Sequence, residues 1–298
     1  MIHKAVLLKE SIESLHPRKG MVFLDGTFGA GGHSLALARE LSDNITIIAI
    51  DTDGDSLEGA SKDFASLSKA DLKSFNTNYR NFEEALENYG LVKVDAVLLD
   101  LGFSSDQMDE SGRGFSFQRD EDLSMSLKTP VTENDLTAKE IVNDWDMENL
   151  RDIIRFYGEE RYAEKIARQI EKERLTKRIE TTGHLVDVIK QATPKSYHFK
   201  KIHPATKTFQ ALRIAVNDEI EALKEFLEKI GGYVKPEARL SIISFHSLED
   251  RVVKNVFRDW EKIGLGKRIT KKPITASETE IKDNPRSRSA KLRTFEFK

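Results

Sequence analysis

"DGTFGAGGHS", residues 25–34, follows the short apolar run "MVFL" and leads into a helical pattern. Gly26, Gly29, Gly31 and Gly32 between a strand and a helix are more glycine than one tight turn requires. The surplus points to a ligand lying close against the backbone. The stretch fits Asp-x-x-x-Gly-x-Gly, from Asp25 through Gly29 to Gly31. It stands at the carboxyl end of a strand, where open α/β sheets bind their ligands. Asp51 ends the next strand, 20 residues after Gly31, and a carboxylate there accepts the ribose hydroxyls of an adenosine. Two cofactors use this arrangement. NAD asks for Gly-x-Gly-x-x-Gly, so that its pyrophosphate sits on the helix N-terminus; counted from Gly29, the sixth position here is Ser34. S-adenosylmethionine has no pyrophosphate and asks only for close backbone approach. The loop favours the second cofactor and leaves the first open.

Working outward, 21–25, 45–51 and 94–100 read as short buried strands, each ending in Asp, with a weaker strand at 71–75. Helical stretches at 32–42, 54–66 and 80–90 separate them. Continuous apolar runs alternating with helices predict a parallel sheet covered on both faces. "RLSIISF", 239–245, reads as a fifth strand, and "KRITKKPI" and "KLRTFEF" as two more. Phe209, Leu212, Val216, Ile220, Leu223, Leu227 and Ile230 predict one long helix, stopped by Gly231 and Gly232. Residues 106–206 contain helical patterns and no convincing strand. The expected organisation is therefore a sheet domain in two parts, 1–105 and 207–298, around an inserted helical domain, 106–206.

The chain has 298 residues, enough for a sizeable core, and no cysteine. That excludes disulfides, thiolate metal sites and cysteine nucleophiles. It therefore excludes methylation at cytosine C5 and zinc-dependent deamination. The seven histidines show no ligand spacing, so no metal is expected. The N-terminal stretch lacks a signal-peptide core, and no apolar run approaches a membrane span. A cytoplasmic protein is the expectation. The net charge of −3 conceals an asymmetry: 254–298 holds 13 Lys/Arg against 6 Asp/Glu, or +7, which leaves −10 for the rest. A basic tail suits a polyanionic partner, although uneven surface charge is an equally ordinary source of such a count.

The acid at the end of the third strong strand bears on chemistry. In "LLDLGFSS", Asp100 suits the acceptor that an exocyclic base amine needs, because the lone pair of that amine is delocalised into the ring. An acceptor at each N–H favours the pyramidal amine and receives charge as it builds. Asp100 and a carbonyl of Leu101 or Gly102 fit that role, and Phe103 suits stacking on the base. The competing reading has Asp100 holding the cofactor and Phe103 in the core. "ISFHSLEDR" contains Ser244, His246 and Asp250 but no nucleophile elbow. Ser247 there reads as a helix cap, and His246 as a candidate for the pocket.

"DGTFGAGGHS", "DLGFSSDQMDESGRGFSF", "YGEERYAEKIARQI", "HPATKTFQALRIAVNDEI", "ISFHSLEDRVVK" and "NPRSRSAKLR" together resemble the bacterial 16S ribosomal RNA (cytosine-N4)-methyltransferases, the MraW or RsmH family. The resemblance runs from "AVLLKESI" to the last strand. It implies a Rossmann-like class I fold with an inserted all-helical domain. It also implies methyl transfer from S-adenosylmethionine to N4 of a decoding-centre cytidine of 16S rRNA in the small ribosomal subunit. The family's cofactor residues fall on Gly31, Gly32, His33, Asp51, Tyr79, Asp100 and Gln107. Phe103, Arg113, Arg213, Asn217, His246, Arg286 and Arg288 become candidates for the RNA. Two departures stand out: "LSMSLK", 123–128, replaces a more acidic run, and Lys207 stands where Arg is usual. Arg286, Arg288, Lys291 and Arg293 are spaced for phosphate contact along a strand edge, and Arg161, Lys165, Arg168 and Lys172 form a basic stripe at helical spacing.

Overall fold

The computed structural model describes residues 4–41, 44–64, 67, 70–102 and 112–298. The chain divides into two compact units, Met1–Gly102 with Ile220–Lys298, and Phe103–Glu219. The first runs α1 (Leu8–Leu15), β1 (Val22–Asp25), α2 (Gly32–Leu41), β2 (Ile45–Asp51), α3 (Gly54–Phe64), β3 (Ala70–Asn76), α4 (Phe82–Asn88) and β4 (Val94–Asp100). The second holds α5 (Ala138–Asp144), α6 (Met147–Phe156), α7 (Ala163–Arg174), α8 (Thr182–Ala192), α9 (Lys195–His198) and α10 (Thr206–Asn217). The chain then returns through α11 (Glu219–Ile230), β5 (Val234–Ser244), α12 (Ser247–Lys262), β6 (Gly266–Arg268), α13 (Glu278–Asp283) and β7 (Lys291–Phe297).

The seven strands form one sheet in the order β3-β2-β1-β4-β5-β7-β6. Pairings from β3 to β5 are parallel, and β7 lies antiparallel to both β5 and β6. The strand order reverses between β1 and β4, and in open α/β sheets the crevice outside the carboxyl ends at such a point takes the ligand. Both faces are covered, because the apolar runs in β1, β2 and β4 send side chains both ways. Leu24, Ile48 and Val97 join Phe82, Leu223 and Phe226 in one cluster, and Phe23, Ile47 and Ala96 join Ile12, Leu37 and Phe64 in another.

Two expectations require correction. The helical unit extends to Glu219 rather than ending at 206. Phe209 and Leu212 of α10 are buried with Ile154, Ile166 and Leu185 of that unit, so the helix belongs to its core. The predicted single helix over 209–230 is two, broken at Asp218, which takes a left-handed conformation with φ 50°. The apolar spacing carries on across the break, so periodicity could not reveal it.

Candidate active site

The glycine loop is fastened to the strand ends by its own backbone. Gly26 N donates to Leu98 O at 3.0 Å and Phe28 N to Ile50 O at 3.0 Å. A side chain at Gly26 would place its Cβ 2.4 Å from Leu99 Cδ2, and Gly31 combines φ +72° with Phe28 Cζ at 2.9 Å from that position. These two glycines are therefore required by the fold itself. Gly29 has φ +51° and nothing within 4 Å of its Cβ position. It leaves room against the backbone, as the sequence suggested for the loop as a whole.

Three carboxylates converge on this loop. Asp25 is buried; its Oδ2 accepts from Ser34 Oγ at 2.6 Å and its Oδ1 from Thr27 N at 3.3 Å. Burial pushes it up to about 7, against the pull of those hydrogen bonds. Asp51 accepts from Gly29 N at 2.7 Å and from Asp53 N at 2.9 Å, so it shapes the loop directly. Burial holds it at about 6. Asp100 is fixed through its backbone, whose N–H donates to Thr27 Oγ1 at 2.6 Å. Its Oδ1 is buried and accepts no hydrogen bond among the described residues. Burial, then Asp25 and Glu249, push this carboxyl well above the usual range.

His33 lies beside Asp100, with Nδ1 3.7 Å from Asp100 Oδ2. Its Nε2 is 3.0 Å from Val6 O. A carbonyl only accepts, so Nε2 carries the hydrogen and Nδ1 is the atom turned to Asp100. Tyr79 follows β3 on a short 3₁₀ turn and meets Phe226 edge to face, ring centroids 5.8 Å apart. A cationic or N–H-bearing ligand group fits this arrangement. It would give Asp100 Oδ1 the partner that it lacks among the described residues, and it would favour the charged form of the raised carboxylates. S-adenosylmethionine carries such groups, and Gly31, Gly32, His33, Asp51, Tyr79 and Asp100 are the described residues that could hold it.

The remaining candidates separate. Phe103 and Gln107 lie outside the described residues. Asn217 donates from Nδ2 to Met125 O and Arg213 O at 2.8 and 2.9 Å and accepts from Leu127 N at 2.8 Å. Arg113 donates to Ser126 O at 3.2 Å and to Thr129 Oγ1 at 3.1 Å. Both clasp the 123–128 segment, where Leu123 and Met125 are buried. Arg213 forms a two-bond ion pair with Glu219, 2.8 Å in each arm, and Lys207 donates to Glu159 O at 2.6 Å. His246, not Ser247, caps α12. Glu249 N donates to its Nδ1 at 3.4 Å, and Glu249 accepts in turn from Phe245 N at 2.8 Å. A His-x-x-Glu cap escapes the usual Ser/Thr pattern.

The predicted strand-edge row of cations does not form. Arg286 and Arg288 occupy a 3₁₀ turn, Pro285–Ser289. Arg293 is buried and donates to Asp250 Oδ1 at 2.7 Å, and Lys291 reaches Asp250 Oδ2 at 3.3 Å. Sequence reading also missed the seam below the site. Glu280 accepts from Leu7 N at 2.7 Å and Asn284 Nδ2 donates to Lys4 O at 3.0 Å, which ties the tail to the segment whose Val6 carbonyl orients His33.

The sequence profile of the MraW methylase family matches residues 1–298. The chain belongs to that family. A Brevibacillus brevis protein named ribosomal RNA small subunit methyltransferase H is 41% identical over 99% of this chain and 97% of its own length. A Clostridioides difficile protein of the same name is 41% identical over 99% and 98%. A solved rRNA methylase from Streptococcus thermophilus spans 100% of this chain and 98% of its own at 12% identity, with a TM-score of 0.45 that adds no weight. No helix among the described residues is long and apolar enough to cross a membrane.

Proposed function

We propose that this protein transfers the methyl group of S-adenosylmethionine to the exocyclic N4 of a decoding-centre cytidine in 16S rRNA of the small ribosomal subunit. The observation that carries the reading is the buried Oδ1 of Asp100 beside the glycine loop, which has no hydrogen-bond partner among the described residues. The names of the two relatives support the substrate class. The bound cofactor supplies an electrophilic methyl group. Asp100 accepts an N4 hydrogen and takes up positive charge as the C–N bond forms and the sulfur–methyl bond breaks. A carbonyl of Leu101 or Gly102 is the second acceptor. Asp100 then receives the proton released from N4, and His33 Nδ1 stands next to it. Asp51 holds the adenosine ribose and Tyr79 covers the adenine. Gln107 completes the cofactor set and Phe103 stacks on the base. The helical unit recognises the substrate, and the reaction takes place in the cytoplasm.

The test is transfer of labelled methyl to unmethylated 30S subunits, followed by nucleoside mass spectrometry. N4-methylcytidine at one decoding-centre position is the expected product. Label on another atom or nucleoside, or none, contradicts the proposal.

A further inference from the structure

Six cations of the helical unit sit in ion pairs: Lys128 with Asp135, Lys139 with Asp122 at 2.6 Å, Arg151 with Asp152 at 2.8 Å, Arg168 with Glu164 at 2.8 Å, Arg178 with Asp144 at 3.0 Å, and Arg213 with Glu219 at 2.8 Å. Arg161, Lys165, Lys195, Lys200 and Lys201 are exposed, and none pairs with a carboxylate among the described residues. The acidic side of the balance is missing locally: residues 188–217 contain Lys190, Lys195, Lys200, Lys201, Lys207 and Arg213 and no Asp or Glu.

Three of the unpaired cations stand on a fixed aromatic base. Tyr162 and Tyr197 meet edge to face, ring centroids 5.0 Å apart. The Arg161 guanidinium lies 4.6 Å from the Tyr162 centroid and 5.2 Å from that of Tyr197. Lys165 Nζ is 5.9 Å from the Tyr162 ring, and Lys200 Nζ is 5.4 Å from the Tyr197 ring. The buried Glu160 locks the pair. Its Oε2 accepts from the Tyr197 hydroxyl at 2.6 Å and its Oε1 from Tyr162 N at 2.9 Å. Ring faces that hold cations restrict them without neutralising them. Next to Lys200 in sequence, Phe199 is 88% exposed, a flat apolar face open to solvent among the described residues.

We infer that Arg161, Lys165, Lys195, Lys200, Lys201 and Phe199 form a docking surface for unpaired RNA, separate from the methyl-transfer residues. Fixed, unneutralised cations suit a backbone of regularly spaced phosphates, and an exposed aromatic ring suits a splayed base. An acidic protein segment would satisfy the cations but gives no reason for the bare ring. The inference rests on the reading that the substrate is rRNA. It adds where the helical unit takes hold of it.

The test uses the full-length protein with Arg161, Lys165 and Lys200 all changed to Ala, on unmethylated 30S subunits and on protein-free 16S rRNA. KM for 30S should rise at least ten-fold while kcat stays within two-fold and cofactor affinity is unchanged. Against protein-free rRNA, the slope of log affinity on log salt should become shallower by about 2, at roughly 0.7 per cation removed. Phe199→Ala should weaken binding about five-fold or more with the slope unchanged. Lys165→Arg with Lys200→Arg should behave as the parent protein. If the triple variant fails to fold, Lys200→Ala alone should still lower the slope by about 0.7. Unchanged KM and slope would overturn the inference. A change seen with 30S but not with protein-free rRNA would also overturn it, in favour of a ribosomal protein. Parent protein that binds rRNA with the steep slope but transfers no methyl would instead count against the proposed reaction and leave this surface standing.

Discussion

Asp100 and Asp250 are two carboxylates of the same sheet unit with opposite fates. Burial acts on both. At Asp250 it is outweighed by Arg293 and Lys291, which hold the carboxyl below its ordinary range. At Asp100 no Lys or Arg answers among the described residues, and further carboxylates, Asp25 and Glu249, push it higher still. A carboxylate used for framework is given its counter-charge by the fold. Asp25, Asp51 and Asp100, gathered at the carboxyl ends of β1, β2 and β4, have none among the described residues. Their cost makes sense if a positively charged ligand completes the group.

The largest expected effect tests the chemical half of this contrast. Asp100→Asn should lower the rate of methyl transfer by about 10²–10³-fold, with the urea midpoint unchanged or raised, since a poorly solvated charge is removed. Near-normal single-turnover rates would end both the acceptor and the cofactor roles. The framework half is tested by Arg293→Met, which leaves Asp250 without its nearest cation. Stability at pH 7 should fall by about 3 kcal/mol. Because the pKa of Asp250 is depressed in the folded protein, its contribution is present above the unfolded value and is lost as pH falls. The gap between variant and parent should therefore narrow below about pH 4.

A smaller effect is expected in the helical unit. Asn217→Ala should cost about 1–3 kcal/mol by stranding Leu127 N and Met125 O, without altering cofactor affinity. A calorimetric change in cofactor binding would show that this residue does more than hold the 123–128 segment. The last is a slope. Asp25 is raised to about 7 in the folded protein. Its stabilising contribution is therefore full below the unfolded value and is lost as pH rises through about 7. Between about pH 4 and 7 the parent should lose stability by up to about 1.4 kcal/mol per pH unit, and Asp25→Asn should flatten that slope.

The sheet was legible because β1, β2 and β4 are continuous apolar runs closed by Asp25, Asp51 and Asp100, which gather at its carboxyl end. What the sequence concealed was how individual side chains are spent. Gly26 and Gly31 looked like ligand space and are partly demanded by Leu99 and Phe28. Arg293 looked like an RNA contact and is buried on Asp250, because a charge count carries no burial. Asn217 looked like a cleft residue and closes backbone hydrogen bonds. His33 owes its orientation to the Val6 carbonyl, 27 residues away in the chain, a contact no local pattern predicts.

The most direct test of the contrast is a ¹³C titration of the aspartate carboxyls by NMR, assigned with Asp25→Asn, Asp51→Asn, Asp100→Asn and Asp250→Asn. Asp25 should titrate near 7, Asp51 near 6 and Asp100 well above the ordinary carboxylate value of 3.8, while Asp250 titrates below it. S-adenosylmethionine should draw the three raised groups down together. If all four titrate near 3.8, with or without the cofactor, the uncompensated carboxylate cluster does not exist and the account of the site fails.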